Sequence, residues 1–239
     1  MDSLAQELVD AIIDRIPRQY TPSCSLVAKR WRQHSQRRYF NSVGFTCEDQ
    51  MILWEANIPK DPDCIPSYVR RVHVQSARSW DEPAIFGRVL KTFRSMESLT
   101  MFGAGPIPPL YDFQDSVSFG EFGSELTSLT LIGHSCTLVT IMSFILSLPN
   151  LNDLWIERVV IVSEESPSTL PDTSWRRPLK RLVLQKVPEV VVTALAQCQC
   201  TTKWLCLDRD DHDIERLVKI SSEVVVTLSL QGRWLTCDV

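Results

Sequence analysis

The sequence shows no secretory-leader pattern, no paired cysteine framework and no apolar run long enough to cross a membrane, and each absence shapes what class of protein is expected. It opens Met-Asp-Ser and reaches Glu7 with neither a basic flank nor an apolar core between. Export is therefore not expected, and an intracellular site, cytoplasmic or nuclear, is. The most apolar stretch, Leu138 to Leu151, is broken by Thr140, Ser143, Ser147 and Pro149. It is too short for a bilayer span, so no membrane partner is expected, and it reads as a buried helix. The 8 cysteines form no CxxC pair, and Cys198-Gln199-Cys200 is their one close approach in sequence. They are expected to stay reduced and to pack as small apolar residues. With 4 well-separated histidines besides, no zinc-ligand spacing arises, and neither a metal nor another cofactor is expected.

Catalytic signatures are missing as well. GxSxG, HExxH and GxxxxGK[ST] do not occur, and Phe102-Gly103-Ala104-Gly105-Pro106 lacks the third glycine of a dinucleotide loop. The acidic run from Asp208 to Asp213 reads as a turn capping a helix that starts at Asp213, not as a cation site. No enzymatic activity is expected.

What the chain does have is a repeat. The spacing LxxLxL returns as Val69-Val72-Val74, Met96-Leu99-Met101, Leu126-Leu129-Leu131, Leu151-Leu154-Ile156 and Leu179-Leu182-Leu184, then as Thr202-Leu205-Leu207 and Val225-Leu228-Leu230. The middle positions step by 27, 30, 25, 28, 23 and 23 residues. A short strand recurring at such a period predicts a leucine-rich solenoid of about seven strands over residues 68–239, in the α/β class. Outer helices are predicted at Glu82–Phe93, Leu138–Leu148, Glu189–Gln197 and Asp213–Ile220. Proline-rich or serine-rich loops are predicted over 103–123 and 163–177. In the leucine-rich family the ninth repeat position is Asn or Cys. Here it is Ala104, His134, Val159, Val187 and Asp210, so an irregular, less curved array is expected. No polar capping repeat follows the seventh strand, and residues 232–239 are expected to serve as a short cap unless the array continues beyond them.

Alternation along each strand places one set of side chains in the core and the next on the concave face. On that face His73, Phe102, Trp155, Arg181 and Trp204 are the candidates for holding a protein target, because aromatic and arginine side chains dominate binding hot spots. Trp155 and Trp204 fall two strands apart, about 10 Å, with Arg181 and Val183 between.

The first forty residues differ in charge and in period. They carry seven Lys/Arg against four Asp/Glu, while the rest of the chain carries 18 against 25. Leu8, Ile12 and Ile16, with Val9 and Ile13, give one apolar helical face that Ser3 and Gln6 would open with a capping box and Pro17 would close. Thr21-Pro22 opens a second helix, on which Cys24, Val27, Trp31 and Ser35 share a stripe as far as Tyr39-Phe40. Five basic residues between Lys29 and Arg38 read as a solvated helix face. The acidic body argues against a nucleic-acid partner. Three prolines between 44 and 67 mark a linker around one short helix, Glu48 to Ala56.

Leu4-Ala5-Gln6-Glu7-Leu8-Val9-Asp10-Ala11-Ile12-Ile13-Asp14 and Cys24-Ser25-Leu26-Val27-Ala28-Lys29-Arg30-Trp31 together resemble the F-box found in large fungal families, over residues 1–43. Ala5 stands where that family has proline. The resemblance implies a head that docks on the Skp adaptor of a cullin–RING (SCF-type) ubiquitin ligase. Matched position by position, it assigns the docking to Leu4, Leu8, Ile12 and Ile13 on the first helix and to Leu26, Val27 and Trp31 on the second stretch. The expected function is that of a substrate-recognition subunit, with a protein target held on the repeats. The alternative is a repeat scaffold that no longer engages the ligase.

Overall fold

The computed structural model describes residues 5–57, 65–76, 83–103, 123–162, 178–207, 227–230 and 233–236. The protein is mixed α/β. Three helices come first: α1 (Gln6–Arg15), the single turn α2 (Thr21–Cys24) and α3 (Lys29–Phe40). A sheet and its covering helices follow, with β1 (Ser42–Phe45), α4 (Glu48–Asn57), β2 (Arg71–Ser76), α5 (Pro83–Lys91), β3 (Ser98–Gly103) and β4 (Ser128–Ile132). Next come β5 (Ser135–Cys136), α6 (Leu138–Leu146), β6 (Asp153–Glu157), β7 (Val160–Ile161), β8 (Leu179–Gln185), α7 (Glu189–Gln197), β9 (Thr202–Leu207), β10 (Thr227–Leu230) and β11 (Arg233–Thr236). Apart from the small β5–β7 pair, the strands form one nine-stranded sheet in the order β1-β2-β3-β4-β6-β8-β9-β10-β11. Every neighbouring pair is parallel until β11, which turns back antiparallel on β10.

The seven repeated phrases stack in register. Val72 pairs with Leu99, Leu99 with Leu129, and the row runs on through Leu154, Leu182 and Leu205 to Leu228. In the first six copies all three slots are buried, which is the physical reason the spacing repeats. Thr202 fills an apolar slot because its hydroxyl donates to the Trp204 carbonyl at 2.8 Å, leaving no buried polar group unpaired. Ahead of β3, β4, β6 and β8 the same paired hydrogen bond recurs: Glu97 and Ser98 N–H both donate to Arg70 O, Thr127 and Ser128 to Glu97 O, Asn152 and Asp153 to Thr127 O, and Lys180 and Arg181 to Asn152 O. After the strands, Gly133 N–H reaches Glu157 O and Arg158 N–H reaches Gln185 O, at 2.8 and 2.9 Å. Gly133, Arg158 and Lys186 take left-handed φ of 76°, 51° and 51° to make these turns. The ninth positions behind them, His134, Val159 and Val187, turn inward and are buried.

The sheet starts earlier than the sequence suggests. Val43 pairs with Val72 and Phe45 with Val74, and Arg70 and Arg71 N–H both donate to Asn41 O in the recurring pattern. Phe40-Val43-Phe45 is thus one further copy of the phrase. The segment read as a linker from residue 44 begins inside a strand, and its short helix is α4. Phe45, Trp54 and Phe93 lock α4 over this end of the core, with ring centroids 5.7 Å (Phe45–Trp54) and 5.4 Å (Trp54–Phe93) apart. The predicted helices at 82–93, 138–148 and 189–197 appear as α5, α6 and α7, packed on the apolar face of the sheet. The predicted helix at 213–220, the loops over 104–122 and 163–177 and the acidic run 208–213 lie outside the described residues.

In the head, Val9 and Ile13 point into a small core beneath α3, and Thr21, Cys24 and Ser35 are buried with them. Two sequence expectations are corrected. Ala5, which carries no capping side chain, is the residue that precedes α1. Thr21 does not cap a helix running to Phe40. Its hydroxyl donates to Arg18 O at 2.6 Å, and the segment breaks into α2 and α3, with Leu26 and Val27 in the turn between.

Candidate docking surfaces

Two surfaces carry the candidate docking residues. On the head, Leu8 and Ile12 lie one helical turn apart on the exposed flank of α1, beside the buried Val9 and Ile13. Leu26 and Val27 stand out from the turn before α3, where their N–H groups bond back to Ser23 O and Cys24 O. Leu26 is 82% exposed, an unusual state for a leucine that a closed turn could instead have shielded. Gln6 Nε2 reaches the Arg30 carbonyl at 3.4 Å, which sets the first turn of α1 beside the start of α3. The exposed side chains therefore belong to adjoining elements.

Of the expected head contacts, Ile13 must be reassigned: it is 0% exposed and forms the head's own core. Trp31 is half-buried, and Leu4 lies outside the described residues. Sequence reasoning missed Tyr20, an exposed ring on the 3-10 turn Arg18–Tyr20 that joins α1 to α2. It also missed Arg18. The Arg18 guanidinium donates to Tyr39 O at 2.8 Å and to Ser42 O, tying the head to the first strand. No local pattern marks such a residue, because its partners are backbone carbonyls more than twenty positions away. The basic run on α3 is partly structural: Arg37 lies over the Tyr68 ring at 5.5 Å, and Arg38 donates to Ile13 O at 2.6 Å. His34 Nε2 and Asp14 Oδ1 approach to 2.9 Å, and that hydrogen bond is the main reason Asp14 is held below the ordinary aspartate range.

On the sheet, the strand residues between the buried slots form ordered rows facing away from the helices. One row runs Arg71, Ser98, Ser128, Asp153, Arg181, Trp204; the next runs His73, Thr100, Thr130, Trp155, Val183, Cys206. Trp155 and Trp204 thus stand in different rows, on a diagonal of about 12 Å instead of the direct 10 Å. Arg181 is not free: its Nε lies 3.2 Å from Asp153 Oδ1. Val183 is buried despite facing this side. Phe102 is 39% exposed in a third row with Ile132 and Glu157, and Glu157 pairs with Arg158 at 3.0 Å. His73 is half-buried, and burial, with the Arg71 and Arg18 guanidinium groups nearby, holds its imidazole below the ordinary histidine range.

No protein-family model matches the chain, and no curated protein matches it either. Among the described residues no helix is long and apolar enough to cross a membrane.

Proposed function

We propose that the protein is the substrate-recognition subunit of an SCF-type ubiquitin ligase, with an F-box-like head for the Skp adaptor and a leucine-rich-repeat array for a protein target. The observation that carries this reading is the exposure of Leu8, Ile12, Leu26 and Val27. These are the positions to which the resemblance assigns adaptor contact, and the head's own core is made without them. Ala5 supports it too: its φ of −61° is the angle a proline imposes, so the change from the family residue leaves the chain's path intact. The in-register phrases and their recurring hydrogen bonds support the repeat array. Catalysis belongs to the ligase, and this subunit contributes proximity.

Co-expression with a Skp adaptor and measurement of the complex by calorimetry test the reading. A complex at micromolar or tighter affinity is expected. Leu26→Asp and Leu8→Asp are expected to weaken it at least about tenfold, because each buries an unpaired charge at the contact. Both residues are exposed, so the head should stay folded. A wild-type chain that leaves the adaptor unbound at micromolar concentration removes the ligase and leaves a repeat scaffold.

A further inference from the structure

The face of the sheet opposite the helices carries an uncompensated positive charge at one end. Arg71 is exposed, and its guanidinium makes no hydrogen bond or ion pair among the described residues. Arg18 lies close enough to act on the same His73, and its own partners are neutral carbonyls, which leave its charge in place. The carboxylates that flank this end are engaged elsewhere: Asp153 with Arg181 and Glu97 with Arg70, at 3.2 and 3.5 Å.

Beside Arg71 runs a lane of short side chains. β3 and β4 present only Ser98, Thr100, Ser128 and Thr130 over their first two facing registers, between His73 on β2 and Trp155 on β6. Three strand spacings, about 14 Å, separate β2 from β6. Once the flanking imidazole and indole are subtracted, one extended segment fits and a helix of about 10–12 Å diameter does not. At the far end of the lane Phe102 and Ile132 pair side by side and close it with an apolar wall. From the Arg71 register to the Phe102 register is four residues along the strand, about 13 Å, which equals the span from residue i to residue i+4 of an extended peptide.

We infer that this lane takes an extended acidic peptide of the target protein, with an Asp or Glu side chain on Arg71 and an apolar side chain four residues away against Phe102 and Ile132. The inference rests on the reading that the sheet face holds the target. Arginine receives a carboxylate in two parallel N–H···O bonds, so Arg71 fixes register as well as sign. The lane hydroxyls are sized and placed to hydrogen-bond the main chain of the guest, which supplies affinity without sequence demand.

Selection of random decapeptides displayed on phage against the immobilised full chain, followed by fluorescence anisotropy of the consensus peptide, tests this. The selected peptides are expected to carry Asp or Glu four positions from a large apolar residue. Arg71→Glu is expected to weaken the consensus peptide by about tenfold or more, and exchanging the peptide's acid for Lys should restore binding to that variant. Thr100→Arg, which fills the lane, should also abolish binding. The melting midpoint of Arg71→Glu should match the wild type, since Arg71 is exposed and unpaired. Selection of no peptide, a consensus without the acid, an affinity indifferent to Arg71→Glu, or binding only when phosphoserine replaces the acid would each overturn the inference. Adaptor capture measured in parallel separates the two claims: its loss with peptide binding intact sinks the ligase reading alone, and the converse sinks the peptide lane alone.

Discussion

The Gly133 backbone passes so close to Gly103 that a Cβ on Gly133 would lie 2.5 Å from Gly103 O. Its φ of 76° also falls where an L side chain is strained. Arg158 and Lys186 occupy the equivalent turns at 51°, so the turn by itself tolerates a side chain at some cost; the close approach is what requires glycine at 133. Gly133→Ala is therefore expected to lower unfolding free energy by about 2 kcal/mol or more. Lys186→Gly should stay within about 0.5 kcal/mol of wild type or exceed it. Urea denaturation of both variants checks the contrast, and equal effects would show that the Gly103 carbonyl can yield.

Arg18 joins head to sheet through Tyr39 O and Ser42 O. Arg18→Ala is expected to cost about 1–2 kcal/mol and to act locally. Hydrogen exchange should quicken across α1 to α3 while amides of β3 to β8 keep their protection. Uniform quickening would mean that the head and the sheet open as one unit.

The sheet was legible because its signal is carried by single residues at fixed spacing: the buried slots of Leu126-Leu129-Leu131 need only each other's registers to declare a strand. The further copy, Phe40-Val43-Phe45, escaped notice because its first slot also ends α3, so the helical pattern and the family resemblance absorbed it. The head's surface was half legible. Period alone could place Leu8, Ile12 and Ile13 on a helix with one broad apolar face, but not decide that Ile13 turns inward and Leu8 outward. That choice depends on where α3 lies. The break at Leu26 and Val27 was hidden by a spacing that suits a continuous helix equally well. On the sheet face, alternation gave the correct side for Trp155, Arg181 and Trp204, whereas their rows depend on inter-strand register, and the Asp153 partner of Arg181 followed only from it.

The buried cysteines should be chemically silent. Burial pushes the Cys136 thiol up to about 12 and raises Cys198 and Cys200 as well. At about pH 8 only roughly one Cys136 in ten thousand is then thiolate, the form that reacts. Cys47 is exposed and free. Iodoacetamide on the native protein, read by peptide mass spectrometry, should modify Cys47 and spare Cys136 and Cys200 until denaturant is added. Early labelling of Cys200 would mean that α7 opens readily from the sheet.

His73 should make the fold sensitive to mild acid. Its folded pKa lies below the unfolded value of 6.5, because burial and the Arg71 and Arg18 charges disfavour the imidazolium. As pH falls through 6.5 the unfolded chain takes up a proton that the folded chain refuses, so the unfolded state binds more protons and stability declines. Above that value the contribution is fully present. Asp14 acts in a separate window: its lowered pKa costs stability only as pH falls below 3.8. Unfolding free energies at about pH 7.5 and about pH 5.5 should therefore differ less for His73→Gln than for wild type. Arg71→Ala should also shrink the difference, by removing one of the two charges that oppose protonation. Equal declines in all three proteins would place the acid sensitivity outside His73.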